Sequence, residues 1–259
     1  MCQLLGMNCN TPTDIVFSFT GFALRGGSTG QHQDGWGIAF FEGAGVRHLV
    51  DHQAAIHSPL AELIKKHPIK SENVVAHIRK ATQGRIALEN CHPFVRECWG
   101  KNWVFAHNGD VPDFKPDLTG QYLPIGNTDS ERAFCFILQE FRHRFGTQVP
   151  TLAALAQALK ELCHHIAGYG TFNMMLSNGE ALFVHCSTEL HYLIRQHPFN
   201  TAHLSDEDIS VDFAAVTTPE DRVAVIATEP LTNNETWTAF SKGDLKVFVE
   251  GTCLIDLPG

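Results

Sequence analysis

Short apolar blocks separated by polar turns run through the first and last thirds of the sequence, and this pattern indicates strands. Residues 3–7 predict a buried strand that places the amino terminus at a sheet edge or in a cleft. Residues 36–41 and 46–51 predict a hairpin, since turn residues lie between them. The same pattern predicts further strands over residues 73–79, 103–106, 171–176, 181–186, 192–196, 223–227 and 245–249.

Apolar residues also recur at helical spacing. Residues 11–14 resemble a helix start and are followed by apolar positions that share one face. A second helix is predicted over residues 58–66, a third after residues 127–130 and a fourth over residues 151–165. Strands, then helices, then strands, with no proline-rich or serine-rich linker, predict one α+β domain of layered sheets covered by helices.

The net charge of the chain restricts the kind of ligand. The composition is ordinary for a globular protein, with 44% hydrophobic residues, but 28 acidic residues against 19 basic ones give a formal net charge of -9 at pH 7. Nucleic acid and anionic membrane surfaces both attract a basic face. We therefore expect a small-molecule ligand, with no nucleic acid and no membrane as partners.

Cysteine, histidine and glycine patterns predict neither a metal nor a cofactor. The 8 cysteines include no Cys-x-x-Cys pair, and the 15 histidines include no His-Glu-x-x-His set. The glycine-rich residues 25–30 lack the ending of a phosphate-binding loop and the spacing of a dinucleotide fingerprint. Because neither a signal peptide nor an apolar span of about eighteen residues is found, we expect reduced thiols and a cytoplasmic location.

Cys2 is the residue with the clearest chemistry. Removal of Met1 gives it a free α-amine beside its thiol, which places a nucleophile and a base on one residue. A thiol has a pKa of about 8.5 and an α-amine one of about 7.7 to 8.0, so the amine is partly unprotonated at neutral pH and can accept the thiol proton. The small side chain after Met1 favours aminopeptidase trimming. The alternative is that Cys2 merely begins a buried strand, as a small hydrophobe.

Asn108-Gly109 follows the strand predicted over residues 103–106. Asn-Gly is the commonest signal of a tight hairpin turn, which by itself explains the pair. The alternative is an oxyanion hole, in which the Asn108 amide and the Gly109 N–H stabilise the anion of a tetrahedral acyl intermediate. A papain-like pair of Cys2 with His77 or His107 as base is a further alternative.

Arg79 and Asp129 are charged residues at the ends of predicted elements. The Arg79 guanidinium can form a two-pronged contact with a carboxylate, although a strand-end arginine is often exposed to solvent. Asp129 can begin its helix or can accept the ammonium group of an amino-acid substrate. Together, the two side chains predict a clamp of opposite charges for a zwitterion.

These residues resemble a known family by their order along the chain. That order is Cys2, Arg79 with Ala81-Thr82 and Gly84 after it, His107-Asn108-Gly109, and Thr128-Asp129-Ser130-Glu131. It is similar to class II glutamine amidotransferases, and the chain resembles their stand-alone, YafJ-type branch over nearly its whole length, including residues 227–231. The resemblance implies an N-terminal nucleophile hydrolase, a four-layer αββα sandwich of two mostly antiparallel sheets, as a single domain over residues 2–259.

The resemblance also implies a role for each matching position. Cys2 corresponds to the nucleophile and its α-amine to the general base, while Asn108 and Gly109 correspond to the oxyanion hole. Three residues correspond to substrate ligands: Arg79 for the α-carboxylate, Thr82 in support of that end, and Asp129 for the α-ammonium group.

Two motifs of the family are altered here. Gln31 and His32 stand where the Arg-Gly-x-Asp-x-x-Gly loop has arginine and its first glycine. Lys80 and Gln83 replace the tryptophan and histidine of the Arg-Trp-Ala-Thr-His-Gly run. The resemblance therefore predicts a γ-glutamyl substrate and leaves open which group departs from it.

Three functions remain open from the sequence. The first is an amidohydrolase of the glutamine amidotransferase type, in which Cys2 cleaves the γ-amide of glutamine through a thioester. A separate protein would then receive the ammonia, because a class II glutaminase domain takes up nearly all of this length. The second is a free-standing hydrolase of another γ-glutamyl amide or peptide, as in relatives that act on γ-glutamyl thiols. The third is a non-catalytic glutamine-binding module.

Overall fold

The computed structural model describes residues 2–82 and 84–259, and two β-sheets form its centre. The first sheet contains β1 (Gln3–Thr13), β2 (Trp36–Glu42), β3 (Gly45–Asp51), β4 (Ser71–Ile78), β9 (His191–Gln196), β12 (Arg222–Ala227) and β13 (Thr238–Ala239). The second contains β5 (Phe94–Cys98), β6 (Lys101–Asp110), β7 (Thr171–Ser177), β8 (Leu182–His185), β14 (Leu245–Val249) and β15 (Thr252–Leu257). A separate two-stranded ribbon consists of β10 (Thr201–His203) and β11 (Ser210–Asp212). The helices are α1 (Val16–Leu24), α2 (Pro59–Lys66), α3 (Asp129–Phe145) and α4 (Leu152–Ala167).

The strand order of the first sheet places β1 in its interior. The order is β13-β9-β12-β1-β4-β2-β3, and all of these pairings are antiparallel. In the pairing of β1 with β4, Gln3 lies opposite Ile78. Cys2, which precedes Gln3, and Arg79, which follows Ile78, are therefore brought to the same end of the sheet.

The alternation of side chains along β1 explains its central place. Leu4 packs into the apolar cluster between the two sheets, whereas Leu5 packs into the cluster that contains α1 and α2 residues. Both leucines are completely buried. A strand that is apolar on both faces requires cover on both, and β1 receives it from the helices on one side and the second sheet on the other. Laterally, β1 lies between β12 and β4.

Three apolar clusters separate four layers. One cluster joins α1 and α2 to the first sheet, a second fills the space between the sheets, and a third joins the second sheet to α3 and α4. In the third cluster the rings of Phe105 and Phe134 stack with centroids 5.0 Å apart. The structure thus confirms the expected α+β class and the αββα sandwich of two antiparallel sheets.

The start of α3 is held by its own polar residues. Thr128 precedes the helix, and its hydroxyl accepts a hydrogen bond from the Glu131 N–H at 3.2 Å, which is a standard N-terminal cap. The buried Glu131 carboxylate forms an ion pair with Arg96 and accepts hydrogen bonds from the N–H groups of Ile125 (3.0 Å) and Gly126 (2.7 Å). These bonds attach the loop before α3 to strand β5 and fix where the helix begins.

Several boundaries differ from those that the sequence predicts. β1 continues to Thr13, which pairs with β4 beyond a register shift, so α1 begins only at Val16. Strand β5 was missed, as were β10, β11, β13 and β15. The strand expected to end at Ala106 continues to Asp110, because β7 pairs with it over that whole length.

Replacing Arg96 by methionine should lower the free energy of unfolding by about 3 kcal/mol, since Glu131 would keep a buried charge without its ion-pair partner. Urea unfolding of the purified variant measures this change. A matched control is Arg144→Met, which removes the partner of Glu161 in an exposed pair; the expected change there is below about 1 kcal/mol. Equal losses in the two variants would contradict the assigned importance of the buried pair.

Candidate active site

The start of β1, the start of β2 and the end of β4 lie next to one another and build one side of the site. Arg79 follows β4 and Gly35 precedes β2, and the Arg79 N–H donates to the Gly35 carbonyl at 2.8 Å. The Asp34 N–H donates to the Arg79 carbonyl at 3.1 Å, and its carboxylate accepts from the Ala81 N–H at 2.8 Å. Asp34 thereby fixes the first residues of the loop after β4.

The thiol of Cys2 lies against this loop. Its Sγ is 3.4 Å from the Lys80 carbonyl oxygen and 3.3 Å from the Lys80 backbone nitrogen, which donates to it. Burial raises the pKa of the Cys2 thiol above its ordinary value, and the Lys80 backbone contact and the Arg79 guanidinium oppose this rise only in part. The thiol therefore needs a proton acceptor before it can act as a nucleophile.

Arg79 is buried, with 3% of its surface exposed, so the interpretation of a strand-end arginine in solvent is wrong. Its guanidinium donates to the carbonyl oxygens of Gly84 (3.3 Å) and Arg85 (3.1 Å) and, at 3.5 Å, to that of Asp34. A guanidinium is satisfied in the interior only by several acceptors, and the loop carbonyls supply them here. Thr82 lies within the same loop and lines the cavity, while Gln83 falls outside the described residues.

Asn108 and Gly109 lie inside strand β6, so the hairpin-turn interpretation is wrong. Asn108 pairs with Asn173 in β7, whose side-chain amide donates to the Asn108 carbonyl at 3.1 Å. A Cβ atom at position 109 would lie 1.9 Å from the Thr171 carbonyl oxygen, so only glycine permits this approach of the two strands. The turn signal of Asn-Gly was overridden by the pairing with β7.

Asp129 is the first residue of α3, as one of its two interpretations predicted. One carboxylate oxygen accepts from the Val111 N–H at 2.7 Å and the other from the Ser130 N–H at 2.8 Å. Val111 follows directly after β6, so this carboxylate joins the helix start to the strand that carries Asn108 and Gly109. Asp129 is thus held in place whether or not a ligand is present.

Three buried histidines lie beside these residues. Burial lowers the pKa of each ring, that of His77 to about 3 and that of His92 well below its ordinary value; neighbouring rings and Arg79 add to the effect for these two. The His107 ring donates to the Thr171 carbonyl from Nε2 (3.0 Å), which leaves Nδ1 to accept from the Ser130 hydroxyl (2.8 Å). All three are neutral imidazoles at physiological pH.

His92 is a member of the site that the sequence did not reveal. It lies between the strands predicted over residues 73–79 and 103–106, and only the fold brings its ring to within 4.3 Å of His77, centroid to centroid. Neither ring nitrogen has a hydrogen-bond partner among the described residues. The hydrogen bonds of Cys2 within residues 2–82 and 84–259 go to Lys80 and not to a histidine, so no papain-like pair forms.

The predicted site residues Cys2, Arg79, Thr82, Gly109 and Asp129 line one cavity. Its volume is about 20 Å³, close to the space that one water molecule occupies. The remaining lining residues are Lys80, Ala81, His92, His107, Thr128 and Ser130.

Larger cavities, of about 530 and 260 Å³, lie beside Arg195 and Phe213 and share no residue with this one. These two contain no cysteine, and Arg195 within them is already paired with Glu235. A third cavity, of about 70 Å³, contains Cys98, but its charged residues Lys101 and Glu180 pair with each other. Volume alone would select the larger cavities, but the Cys2 thiol and the opposite charges of Arg79 and Asp129 lie at the one of about 20 Å³. We therefore take the cavity at Cys2 as the candidate active site.

Among residues 2–82 and 84–259, no group of histidine, cysteine, aspartate and glutamate side chains is arranged to hold a metal ion. No described helix has both the length and the apolar character needed to cross a membrane. Arg25, in the glycine-rich loop, forms an ion pair with Asp206 and donates to the carbonyl oxygens of Glu229 and Pro230.

The sequence and structure are similar to several known proteins. A provisionally named glutamine amidotransferase of Haemophilus influenzae is 52% identical over 260 residues, which cover 100% of this chain and 88% of the relative. The Escherichia coli protein YafJ, provisionally named in the same way, is 49% identical over 251 residues, covering 97% and 98%. The crystal structure of a predicted glutamine amidotransferase from Pseudomonas aeruginosa has 45% identity and a TM-score of 0.79 and covers 98% of this chain and 100% of that one.

The sequence model of one family covers nearly the whole chain. It is described as class II glutamine amidotransferases and matches residues 1–257. With relatives of about half-identical sequence matched over almost their full lengths, the assignment does not depend on a local motif. The chain belongs to the class II glutamine amidotransferase family.

Proposed function

We propose that the protein is an amidohydrolase of the glutamine amidotransferase type, in which Cys2 cleaves the γ-amide of glutamine. The observation that supports this most directly is the single cavity lined by the Cys2 thiol, Gly109, Arg79 and Asp129. It combines a nucleophile, a backbone donor and two opposite charges. Removal of Met1, which lies outside the described residues, is part of the proposal.

The α-amine of Cys2 acts as the base. Since burial raises the pKa of the thiol, the proton must be taken by a nearby group, and a terminal amine with a pKa of about 7.7 to 8.0 is on the same residue. The sulfur attacks the γ-carbonyl carbon, and the resulting oxyanion is stabilised by the Asn108 amide and the Gly109 N–H. The carbon–nitrogen bond of the γ-amide then breaks, and the proton that the Cys2 α-amine took from the thiol passes to the departing nitrogen.

Water completes the cycle. The amine accepts a proton from water as its oxygen attacks the thioester carbonyl, again through an oxyanion. The carbon–sulfur bond breaks, the proton returns to the sulfur, and glutamate leaves. Ammonia and glutamate are thus formed from glutamine and one water molecule, with no oxidant or cofactor.

The head of the substrate is bound by charge. Arg79 binds the α-carboxylate, Thr82 supports that end and Asp129 binds the α-ammonium group. In the structure both charged side chains are bonded to backbone groups, so they are already oriented and exchange some of these bonds for the substrate. Preorganisation of this kind lowers the entropy lost on binding.

The acceptor, the domain and the location are also proposals. In the first alternative, a separate protein receives the ammonia. In the second, this chain is a free-standing hydrolase of another γ-glutamyl amide or peptide; Lys80 in place of the family's tryptophan favours this second alternative. Residues 2–259 act as one domain. The eight cysteines are free thiols, which supports a reducing compartment such as the cytoplasm.

The purified protein should lack Met1 by intact mass measurement and should release ammonia from glutamine, because the proposed base exists only at a free Cys2 amine. Cys2→Ala should abolish release, whereas Cys253→Ala, at a partly exposed thiol outside the site, should not change it. Faster turnover of γ-glutamyl peptides than of glutamine would select the free-standing hydrolase. Full activity of material that retains Met1 would exclude the amine as base. Glutamine binding without turnover, with the same affinity in Cys2→Ala, would show a binding module.

Asn108→Ala should lower kcat for glutamine by about 10² to 10³ with a smaller change in KM, since the amide acts on the oxyanion and not on the bound substrate. Steady-state kinetics measure both constants. Asn102→Ala is the matched control, because Asn102 lies on the same strand and its amide donates to Ala44 away from the site. A rise in KM with unchanged kcat would contradict the oxyanion role.

The pH dependence of kcat/KM should rise between about pH 6.5 and pH 8.5, because the fraction of unprotonated α-amine increases through a pKa of about 7.7 to 8.0. The buried histidines should add no inflection in this range; the pKa of His77 is lowered to about 3, so this ring is already neutral. Activity measured across this range with a constant ionic strength tests the profile. A rate that falls with rising pH would indicate a protonated group as the essential form.

A further inference from the structure

Thr228 lies where the first sheet meets the second. It follows β12 and is buried, its N–H donates to the Leu4 carbonyl at 3.1 Å, and its hydroxyl oxygen accepts from the Leu4 N–H at 2.9 Å. Leu4 is two residues after the nucleophile. Thr228 is therefore tied to strand β1 from both directions.

The same hydroxyl reaches the second sheet. One end of the Asn108 side-chain amide, the Nδ2 position, lies 3.4 Å from Thr228 Oγ1. The other end is completely buried and has no hydrogen-bond partner among the described residues. The Asn108 backbone is held by Asn173, so the hydroxyl of Thr228 is the contact that can decide which way the amide faces.

The two orientations of the Asn108 amide have nearly the same shape, but they differ in the number of buried donors and acceptors that find a partner. If Nδ2 faces Thr228, the hydroxyl oxygen accepts twice, and its own proton has no acceptor among the residues that the structure describes. If Oδ1 faces Thr228, the hydroxyl accepts from Leu4 and donates to Asn108, so one more buried group is satisfied. The second orientation leaves the NH₂ group as the end without a protein partner.

We propose that Thr228 is a positioning residue that turns the Asn108 amide so that its NH₂ group faces the reacting carbonyl. A buried donor without a partner is unfavourable in the resting protein but stabilises an anion that appears only during the reaction. Asn108 directly precedes Gly109 on β6, and Gly109 lines the cavity at Cys2. This inference rests on the proposed function.

The loop that carries Thr228 is itself firmly attached. The next residue, Glu229, accepts a hydrogen bond from the Gln3 side chain at 3.3 Å, and its carbonyl accepts from Arg25 at 2.9 Å. The Thr228 carbonyl lies 3.0 Å from His191 Nδ1. The hydroxyl is thus presented by a fixed backbone, as a group that selects an orientation must be.

A double-mutant cycle in the full-length protein tests the proposal. Thr228→Val keeps the shape but removes the hydroxyl, and it should lower kcat for glutamine by about 10-fold or more with a smaller change in KM. In the Asn108→Ala background the same substitution should change kcat by less than about 2-fold, since the group it acts through is gone. Thr228→Ser should restore most of the rate.

Two controls separate positioning from structural support. Thr232→Val removes another buried threonine hydroxyl from the same segment, one that bonds Glu235 and Trp237, and it should leave kcat unchanged. Alkylation of Cys2 by iodoacetamide forms no oxyanion, so its rate should be equal in the wild type and in Thr228→Val. If Thr228→Val lowers the alkylation rate in parallel with kcat, Thr228 acts through β1. If the losses in kcat are additive in the double-mutant cycle, Thr228 does not act through Asn108. Either result overturns the proposal.

The orientation can also be observed without turnover. A neutron crystal structure of the wild-type protein in D₂O should place the Thr228 deuteron towards Asn108 and the amide deuterons on the opposite side. Amide deuterons directed at Thr228 would overturn the inference even in an active enzyme. If no γ-glutamyl amide is hydrolysed, the proposed function fails, while the neutron result still decides the orientation.

Discussion

The pairing of β1 with β4 is the constraint on which the site depends. Because Gln3 lies opposite Ile78, the Cys2 thiol meets the backbone of Lys80, and Arg79 is held beside it. A shift of one residue would exchange the two faces of β1 and move Leu4 out of the core between the sheets. Hydrophobic burial on both faces of this strand therefore also fixes the position of the Cys2 thiol.

The second sheet contributes through contact with the first. β6 carries Gly109 to the cavity, with Asn108 directly before it on the strand, and the Asp129 carboxylate ties the start of α3 to the end of that strand through Val111. The candidate site is consequently assembled from two sheets and one helix, none of which alone carries all of its residues. Its geometry depends on the apolar layer between the sheets, which packs as rigidly as any protein interior.

Burial determines the charges at the site. The same loss of water raises the pKa of the Cys2 thiol and lowers that of His77 and His92, so the neutral form of each group is favoured. The base in the proposed function is an amine on the same residue as the thiol, which needs no separate pocket in a water-sized cavity. This physical argument agrees with family membership, which rests on sequence over nearly the whole chain.

Much of the site could be predicted from the sequence. The order of Cys2, Arg79, Asn108-Gly109 and Asp129 indicated the family, and the spacing of apolar residues indicated strands and helices near their observed places. Local chemistry is sufficient for these features, because a helix cap or a strand pattern depends on residues close in sequence. The layered αββα class followed from the same patterns together with the resemblance.

The tertiary structure alone decided which residues face one another. Asn-Gly is a common turn signal, yet pairing with β7 keeps both residues in a strand. A strand-end arginine is often exposed, yet loop carbonyls enclose Arg79. His92 carried no sequence signal, and Thr228 was only part of a matching segment with no role assigned to it, because the partners of both lie on distant strands. The sequence by itself determined the reactive groups and their order, whereas register and sheet packing, which join residues far apart along the chain, decided their arrangement.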